Sequence, residues 1–204
     1  MHAVSDKSVL REKVLADRRA LDPHVRATAD RAICASVRDL LRSGRRPGRP
    51  AVHAIRRTVA CYVPTDGEPG GPTLPEVAHG WGDRVLLPVL RSDLDLDWAE
   101  YTGPDCLAPA RWRLCEPTGP RLGVRAVTTA SVLLIPAMLV DRAGARLGRG
   151  GGSYDRALVR VPRRTLVVAL LYDGELVDGP LPTEAHDRHV NAVITPSLGF
   201  LRLV

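Results

Sequence analysis

The chain has 204 residues, enough for one domain whose core needs no disulfides, and its four cysteines form no C-x-x-C pair. Neither a disulfide framework nor a zinc site is indicated, and the lack of an apolar signal segment or a membrane-length apolar run predicts a cytoplasmic protein. The net charge is +6, but aromatic residues are few and the arginines are spread along the chain, so nucleic-acid binding is a weaker alternative.

Two amino-terminal helices begin the predicted order of elements. Ser5 is the expected N-cap of the first helix, which runs to about Ala20, and Asp22-Pro23 starts a second helix that ends near Leu41. A basic loop rich in Gly and Pro follows. The rest of the chain alternates apolar strands with helices, and the pattern predicts strands at 58–63, 84–89, 94–102, 132–136, 165–172 and 191–195 and helices at 73–79 and 154–161.

Apolar strands that alternate with helices are typical of a parallel or mixed sheet covered on both faces. We therefore predict a single three-layer α/β/α domain over residues 1–204, with a mostly parallel, Rossmann-like open sheet. Its expected parts are the amino-terminal helices (1–43), the basic loop (44–57) and the α/β core (58–204).

The segment 146–156 contains four glycines, three arginines and one carboxylate, and it precedes a predicted helix. Glycine lets backbone N–H groups approach an anion, a helix N-terminus adds a positive dipole, arginine adds charge, and a carboxylate can hold Mg²⁺. The segment therefore predicts a polyphosphate site at the carboxyl edge of the sheet, with a flexible, solvated loop as the alternative. It is not a Walker A motif, which requires Gly-Lys-Ser/Thr, and it lacks the third glycine of a dinucleotide fingerprint.

Three more residues could contribute to such a site. Lys7 and Arg11 lie four residues apart on the first helix, where they either share an anion or stand solvated on an exposed face. Glu68 follows a strand end, in the kind of loop that often carries functional residues, although a loop carboxylate commonly faces solvent.

Aromatic and acid–base residues give less specific signals. Trp98, Tyr101 and Trp112 could sandwich a flat heterocycle or simply pack in the core. The His186-Asp187 pair suits general acid–base catalysis, a metal ligand or a structural hydrogen bond. The chain contains no H-x-x-x-H and no G-x-S-x-G, so neither zinc hydrolysis nor a serine triad is supported.

Taken in order along the chain, these motifs resemble the 5-formyltetrahydrofolate cyclo-ligase (methenyltetrahydrofolate synthetase) family. The outer motifs that match are Lys7-Ser8-Val9-Leu10-Arg11, Glu68, Leu87-Pro88, Trp112 before Glu116-Pro117, and Pro182-Thr183-Glu184-Ala185-His186-Asp187. The long signature matches at Ile135-Pro136, Asp141, Gly144 and the stretch from Arg146 to Asp155. Two positions depart from the family pattern, since Gly151 stands where Lys is frequent and Ser153 replaces the first Tyr of Tyr-Tyr-Asp.

The resemblance implies ATP- and Mg²⁺-dependent cyclisation of 5-formyltetrahydrofolate to 5,10-methenyltetrahydrofolate, giving ADP and phosphate. The formyl oxygen would attack the γ-phosphate, and N10 would then displace phosphate. This chemistry needs alignment and cations rather than a protein nucleophile. The expected partners are therefore the folate substrate and ATP, with no nucleic acid and no membrane, and the protein is expected to be a monomer.

The resemblance also implies a role for each matched residue. The residues expected to bind ATP are Lys7, Arg11, Arg146, Gly148, Arg149, Gly150, Gly151, Gly152, Ser153, Tyr154 and Asp155. Asp155 would also hold Mg²⁺, and the pterin and formyl group would face Glu68, Trp112 and Tyr154. The expected catalytic residues are Tyr154 and Arg149, whereas His186 and Asp187 would belong to the wall of the site.

Three alternatives stay open on the sequence alone. A relative that lost turnover through Ser153 and Gly151 would bind folate or nucleotide without forming product. Another ATP-dependent ligase on the same scaffold would act on a different formyl or amide substrate. A basic nucleic-acid-binding module would bind DNA or RNA in a salt-sensitive way that excess ATP need not displace.

Overall fold

A computed structural model describes residues 3–43, 57–65, 67–80, 84–183 and 188–203. The helices within these ranges are α1 (Ala3–Ala20), α2 (Pro23–Ser43), α3 (Leu74–His79) and α4 (Ser153–Arg160). The strands that precede the glycine-rich segment are β1 (Thr58–Ala60), β2 (Arg84–Leu90), β3 (Leu96–Glu100), β4 (Leu107–Pro109), β5 (Cys115–Pro117), β6 (Ala130–Pro136) and β7 (Leu139–Asp141). The remaining strands are β8 (Arg146–Leu147), β9 (Leu166–Leu170), β10 (Leu176–Val177), β11 (Ala192–Thr195) and β12 (Gly199–Arg202).

The main sheet has the strand order β12-β11-β9-β6-β1-β2-β3. Its five inner strands, from β2 to β11, are parallel, and an antiparallel strand closes each edge. The chain passes from β1 to β2 on one side and then returns to β6 on the other side of β1. The order of the strands therefore reverses between β1 and β6, which is where open α/β sheets form a ligand crevice.

Helices cover both faces of this sheet because alternate strand residues point to opposite sides. On one face Leu134 of β6 belongs to the same buried cluster as Ile33 of α2. On the other face Leu133 and Ile135 of the same strand belong to a cluster that contains Ala157 of α4. The predicted three-layer α/β/α arrangement with a mostly parallel sheet is confirmed.

A second, three-stranded sheet with the order β10-β7-β8 lies beside the main one. Helix α1 packs on it, since Val14 shares a buried cluster with Met138, Leu139 and Leu147. Strands β4 and β5 form an antiparallel hairpin. None of the helices in the described part of the chain combines the length and the apolar character needed to cross a membrane.

Among the differences between the predicted and the observed boundaries, two concern the first helix and the first strand. Helix α1 begins at Ala3, so Ser5 lies inside its first turn and the N-cap prediction was wrong. Strand β1 ends at Ala60 rather than at residue 63, because Tyr62 and Val63 leave the sheet to line a cavity. The start of α2 agrees with the prediction, since Asp22 Oδ1 accepts hydrogen bonds from the N–H groups of residues 24 and 25.

Some predicted features lie outside the described residues. These are positions 44–56 of the basic loop and the segment 184–187, which contains His186 and Asp187.

Candidate active site

A cavity of about 590 Å³ lies at the carboxyl ends of the parallel strands. Tyr62 and Val63 enter its wall after β1, Pro88 and Leu90 near the end of β2, and the segment 136–138 at the end of β6. The cavity therefore occupies the crevice where the strand order reverses.

The glycine loop, residues Gly148 to Gly152 between β8 and α4, forms one wall of the cavity. Gly150 and Gly152 have φ values of +101° and +69°, a backbone conformation that residues other than glycine rarely adopt. Arg11 of α1 lies against Gly150, and its Nε donates a 2.9 Å hydrogen bond to the Gly148 carbonyl. The first helix and the glycine loop are thus joined directly at the cavity.

Arg146 is the most deeply placed cation beside the glycine loop. Only 4% of its side chain is exposed, it forms an ion pair with Asp155 in the first turn of α4, and its Nε has no hydrogen-bond partner among the described residues. A Cβ at Gly148 would lie 2.9 Å from Nη1 of Arg146, so the absence of a side chain there makes room for the guanidinium. Because a buried N–H without a partner is costly, this arrangement favours an incoming anion.

Glu68 faces the cavity rather than open solvent. It is 9% exposed, and one carboxylate oxygen accepts 2.9 Å hydrogen bonds from the N–H and hydroxyl groups of Thr65. Its other oxygen lies 3.3 Å from Nε of Arg149, whose side chain is half-exposed. The solvated alternative for this loop carboxylate therefore does not hold.

Tyr154, the second residue of α4, lines the cavity and packs against the two hydrophobic clusters that lie on either face of the main sheet. Burial, reinforced by the Glu68 carboxylate, raises the pKa of the Tyr154 phenol well above its ordinary value. The phenol therefore stays protonated at neutral pH and is available as a hydrogen-bond donor. Ser153, the residue before it, is half-buried and lines the same cavity.

Helix α1 presents three cations, Lys7, Arg11 and Arg18, to the cavity. Arg18 is buried, and its guanidinium donates hydrogen bonds of 2.6 and 2.8 Å to Glu175 and one of 2.6 Å to the Ala137 carbonyl. Its charge is thus neutralised within the protein. Arg18 was not predicted from the sequence, although positions 7, 11 and 18 fall on one face of a helix.

A second part of the cavity lining, which we call the apolar wall, consists of Leu90, Leu94, Leu96, Leu114 and the exposed Trp112. Trp112 lies in the loop of the β4–β5 hairpin with φ +54°, a conformation that is rare for a bulky residue. Of the three aromatic candidates, Trp98 is fully buried in the core, and Tyr101 is buried with its hydroxyl donating a 2.8 Å hydrogen bond to Glu76. Trp112 alone among these three lines the cavity.

The cavity therefore brings together all the site residues that the sequence predicted within the described ranges. They are Lys7, Arg11, Glu68, Trp112, Arg146, Gly148, Arg149, Gly150, Gly151, Gly152, Ser153, Tyr154 and Asp155. Across the same ranges, no group of three or more His, Cys, Asp or Glu side chains is arranged to hold a metal ion. A cation at Asp155 would need ligands from a bound molecule or from water.

The fold and the cavity define an open-sheet α/β protein whose ligand crevice combines a basic glycine loop with an apolar wall. The profile of the 5-formyltetrahydrofolate cyclo-ligase family matches residues 3–196, and the chain belongs to this family. The resemblance found in the sequence motifs is thereby confirmed.

Named relatives and solved structures agree with this assignment. The 5-formyltetrahydrofolate cyclo-ligase of Mycolicibacterium smegmatis is 39% identical over 202 residues and covers 97% of each chain. The Escherichia coli cyclo-ligase is 38% identical over 149 residues, which are 70% of this chain and 80% of that protein. The NMR structure of Aquifex aeolicus 5,10-methenyltetrahydrofolate synthetase has a TM-score of 0.70 at 27% identity and covers 97% of this chain and 92% of its own. The synthetase of Mycoplasma pneumoniae has the same fold, with a TM-score of 0.70 at 20% identity and coverage of 94% and 99%.

Proposed function

We propose that this protein catalyses the ATP- and Mg²⁺-dependent cyclisation of 5-formyltetrahydrofolate to 5,10-methenyltetrahydrofolate, with release of ADP and phosphate. The observation that carries the proposal is the buried Arg146, whose Nε lacks a hydrogen-bond partner among the described residues, beside a glycine loop and a helix N-terminus. Family membership supports the identity of the two substrates.

The residues of the glycine-loop wall fit a polyphosphate in charge and in shape. Lys7, Arg11, Arg146 and Arg149 line the cavity, where the nearby carboxylates are Glu68 and Asp155. The N-terminus of α4 adds its dipole and unpaired N–H groups. We assign the phosphates of ATP to this wall, with Asp155 as the protein ligand of Mg²⁺.

Mg²⁺ commonly binds through one or two carboxylates together with substrate phosphates, so a single aspartate is sufficient on the protein side. When bound, the ion would supply positive charge to the phosphate oxygens. The ion pair between Asp155 and Arg146 holds the carboxylate next to the cation expected to bind the same phosphates.

The apolar wall fits the flat folate. Trp112 and the leucines would pack against the pterin and the neighbouring aromatic ring, while Tyr154 donates a hydrogen bond from its protonated phenol and Glu68 accepts one. The formyl oxygen attacks the terminal phosphorus, and ADP leaves. N10 then attacks the former formyl carbon, which stays bonded to N5, and loss of phosphate and of the N10 proton leaves the methenyl bridge between N5 and N10. The residues of the chain align these atoms and neutralise the charge that develops during the reaction. We assign this catalytic role to Arg149 and Tyr154.

The function is tested by following the near-ultraviolet absorbance of methenyltetrahydrofolate in the presence and absence of Mg·ATP. We expect turnover that requires both nucleotide and Mg²⁺, and an Arg146→Met variant that loses turnover by about 10²- to 10³-fold. Arg142→Met is the matched control, because Arg142 is exposed and forms an ion pair with Asp178 outside the cavity.

Three results would overturn the proposal. Product formation without ATP would exclude phosphate activation. Binding of folate and ATP without product would indicate a non-catalytic relative, in which the departures from the family pattern at Gly151 and Ser153 have abolished turnover. Turnover of a competing formyl or amide substrate, with no reaction of 5-formyltetrahydrofolate, would indicate another ligase on this scaffold.

A further inference from the structure

The loop that carries Glu68, residues 67–71 between β1 and α3, is held from behind by side chains of other elements, and we call it the Glu68 loop. Asp30 of α2 accepts a 2.9 Å hydrogen bond from the Gly70 N–H through Oδ1. The Tyr172 hydroxyl lies 3.0 Å from the same Asp30 oxygen and 3.3 Å from the Glu68 carbonyl oxygen, so its proton is shared between two acceptors. Among the described residues that line the cavity, neither Asp30 nor Tyr172 occurs.

The main chain of the Glu68 loop packs closely on α2. Gly70 and Gly71 have φ values of +102° and +61°, and a Cβ at Gly71 would lie only 3.1 Å from Oδ2 of Asp30. The absence of a side chain there lets the loop approach the carboxylate. Tyr62 adds a further contact, since its hydroxyl donates a 2.5 Å hydrogen bond to the Pro69 carbonyl. Side chains therefore bind the main chain of the loop at three successive residues.

Tyr172 is itself held in place by the buried ion pair of Arg18 and Glu175. The Tyr172 N–H donates a 2.8 Å hydrogen bond to Oε2 of Glu175, and the guanidinium carbon of Arg18 lies 5.6 Å from the centre of the Tyr172 ring. Burial, together with the charge of the Asp30 carboxylate, raises the pKa of the Tyr172 phenol above its ordinary value. The hydroxyl therefore stays protonated at neutral pH and can donate to the loop.

The fixed main chain determines where the Glu68 carboxylate can lie. One of its oxygens accepts the hydrogen bonds from Thr65, and the other lies 3.3 Å from Nε of Arg149 across the cavity wall. We propose that Tyr172 and Asp30 are positioning residues, which act on the folate through Glu68 by fixing the loop that carries it. This inference rests on the proposed function, in which Glu68 faces the pterin and the formyl group.

The first test removes the contacts behind the loop and compares the two substrates. Tyr172→Phe deletes only the hydroxyl, and we expect KM for 5-formyltetrahydrofolate to rise about two- to tenfold while KM for ATP is unchanged. Asp30→Ala should have the same selective effect. Asp30→Asn should restore most of the affinity, because an amide oxygen can still accept from the Gly70 N–H. Equal rises of KM for both substrates, or no rise for the folate, would overturn the proposal.

Tyr101→Phe is the matched control, because it removes another buried hydroxyl that donates to a carboxylate, that of Glu76, outside the cavity. Both Phe variants should lower Tm, but only Tyr172→Phe should change KM for the folate. A similar rise of that KM in Tyr101→Phe would trace the effect to lost stability and count against a positioning role.

A double-mutant cycle with Glu68→Ala tests the route of the effect. Once the Glu68 side chain is gone, Tyr172→Phe should no longer weaken the binding of 5-formyltetrahydrofolate in titration calorimetry. If Tyr172→Phe weakens binding by the same factor with and without the Glu68 side chain, Tyr172 does not act through Glu68 and the inference is wrong.

The same calorimetry separates this inference from the proposed function, because it needs no turnover. If the protein forms no product, but Tyr172→Phe weakens folate binding only when Glu68 is present, the proposed reaction fails while the positioning role stands. If the protein turns over and neither Tyr172→Phe nor Asp30→Ala weakens folate binding, the positioning role alone fails. An unmodified protein that does not bind the folate would refute both.

Discussion

Single residues of the glycine loop differ in how strongly the structure requires them to be glycine. Gly150 has φ +101°, and a Cβ there would lie 3.5 Å from the Arg11 guanidinium carbon. Gly151 is not among the positive-φ glycines, and the nearest atom to a Cβ placed there is the Ser153 hydroxyl oxygen at 3.7 Å. The two neighbours should therefore respond differently to the same substitution.

We predict that Gly150→Ala impairs the protein and that Gly151→Ala, its matched control, is tolerated. A side chain at a positive φ costs about 1–3 kcal/mol, and relief of that strain would shift the loop that faces the phosphates. The free energy of unfolding from urea titration should fall by about that amount in Gly150→Ala, together with a higher KM for ATP. Equal behaviour of the two variants in both measurements would show that backbone conformation at position 150 does not shape the site.

At the level of elements, helix α4 is held in place by an ion pair at each of its ends. Its first turn carries the ion pair of Asp155 with Arg146, and its last residue, Arg160, donates hydrogen bonds of 2.9 and 2.5 Å to the two carboxylate oxygens of Asp95. Asp95 is buried and lies just before β3. Hydrogen bonds from Arg160, followed by that from the Leu96 N–H, lower the pKa of the Asp95 carboxyl despite its burial.

This lowered pKa predicts how stability depends on pH. Because the folded-state pKa lies below the unfolded value of about 3.9, the contribution of Asp95 is complete above that pH and is lost as the pH falls further. Asp95→Asn should lower the free energy of unfolding at pH 7 by about 1–2 kcal/mol, and the difference from the unmodified protein should shrink below pH ~4.

Urea unfolding at several pH values checks this expectation, with Asp178→Asn as a control for an exposed ion pair. A difference that stays constant from neutral to acidic pH would show that the Asp95 charge does not join α4 to β3.

The longer strands of the main sheet were predictable because both faces of the sheet are buried, so each strand is a run of apolar residues. Strands β2, β6, β9 and β11 all lie within or next to the predicted runs. Apart from β1, the strands of two or three residues, such as β8 and β10, were not predicted, since no periodicity can develop over so short a length. The hairpin β4–β5 was missed for the same reason.

The site divides in a similar way. The glycine loop was predictable from composition, because few other roles need this density of glycine and arginine. Arg18 was not predicted, because a helical arginine resembles a solvated cation until its partner Glu175, 157 residues away, is known to lie beside it. The conformation of the β4–β5 hairpin tip, with positive φ values at Trp112 and Arg113, was not predicted either, because residues 111–113 contain no glycine that would have indicated it.

For the molecule as a whole, the cavity is assembled from three parts that are distant in the sequence. They are α1, the glycine loop with the adjoining strand ends, and the β4–β5 hairpin. Helix α1 is joined to the rest through Arg11 and the Gly148 carbonyl, through Arg18 with Glu175, and through the cluster around Val14. A ligand that contacts more than one part should stabilise their assembly as well as occupy the cavity.

We therefore predict that Mg·ATP raises the thermal stability of the protein through α1. At 100 times its Kd a ligand of the folded state adds about 2.7 kcal/mol. For a chain of this size that corresponds to a rise in Tm of roughly 5–11 °C. Arg11→Ala should lose most of this rise, because it removes both a cation of the cavity and the bond to the glycine loop.

Scanning fluorimetry at a fixed concentration of Mg·ATP measures the shift. Lys13→Ala is the matched control on the same helix, since Lys13 is exposed and pairs with Asp17 away from the cavity. A Tm shift of the same size in Arg11→Ala and in Lys13→Ala would mean that nucleotide binding does not involve α1. The phosphate site would then have to be formed by the glycine loop and Arg146 alone, and the role of α1 would be limited to packing on the three-stranded sheet.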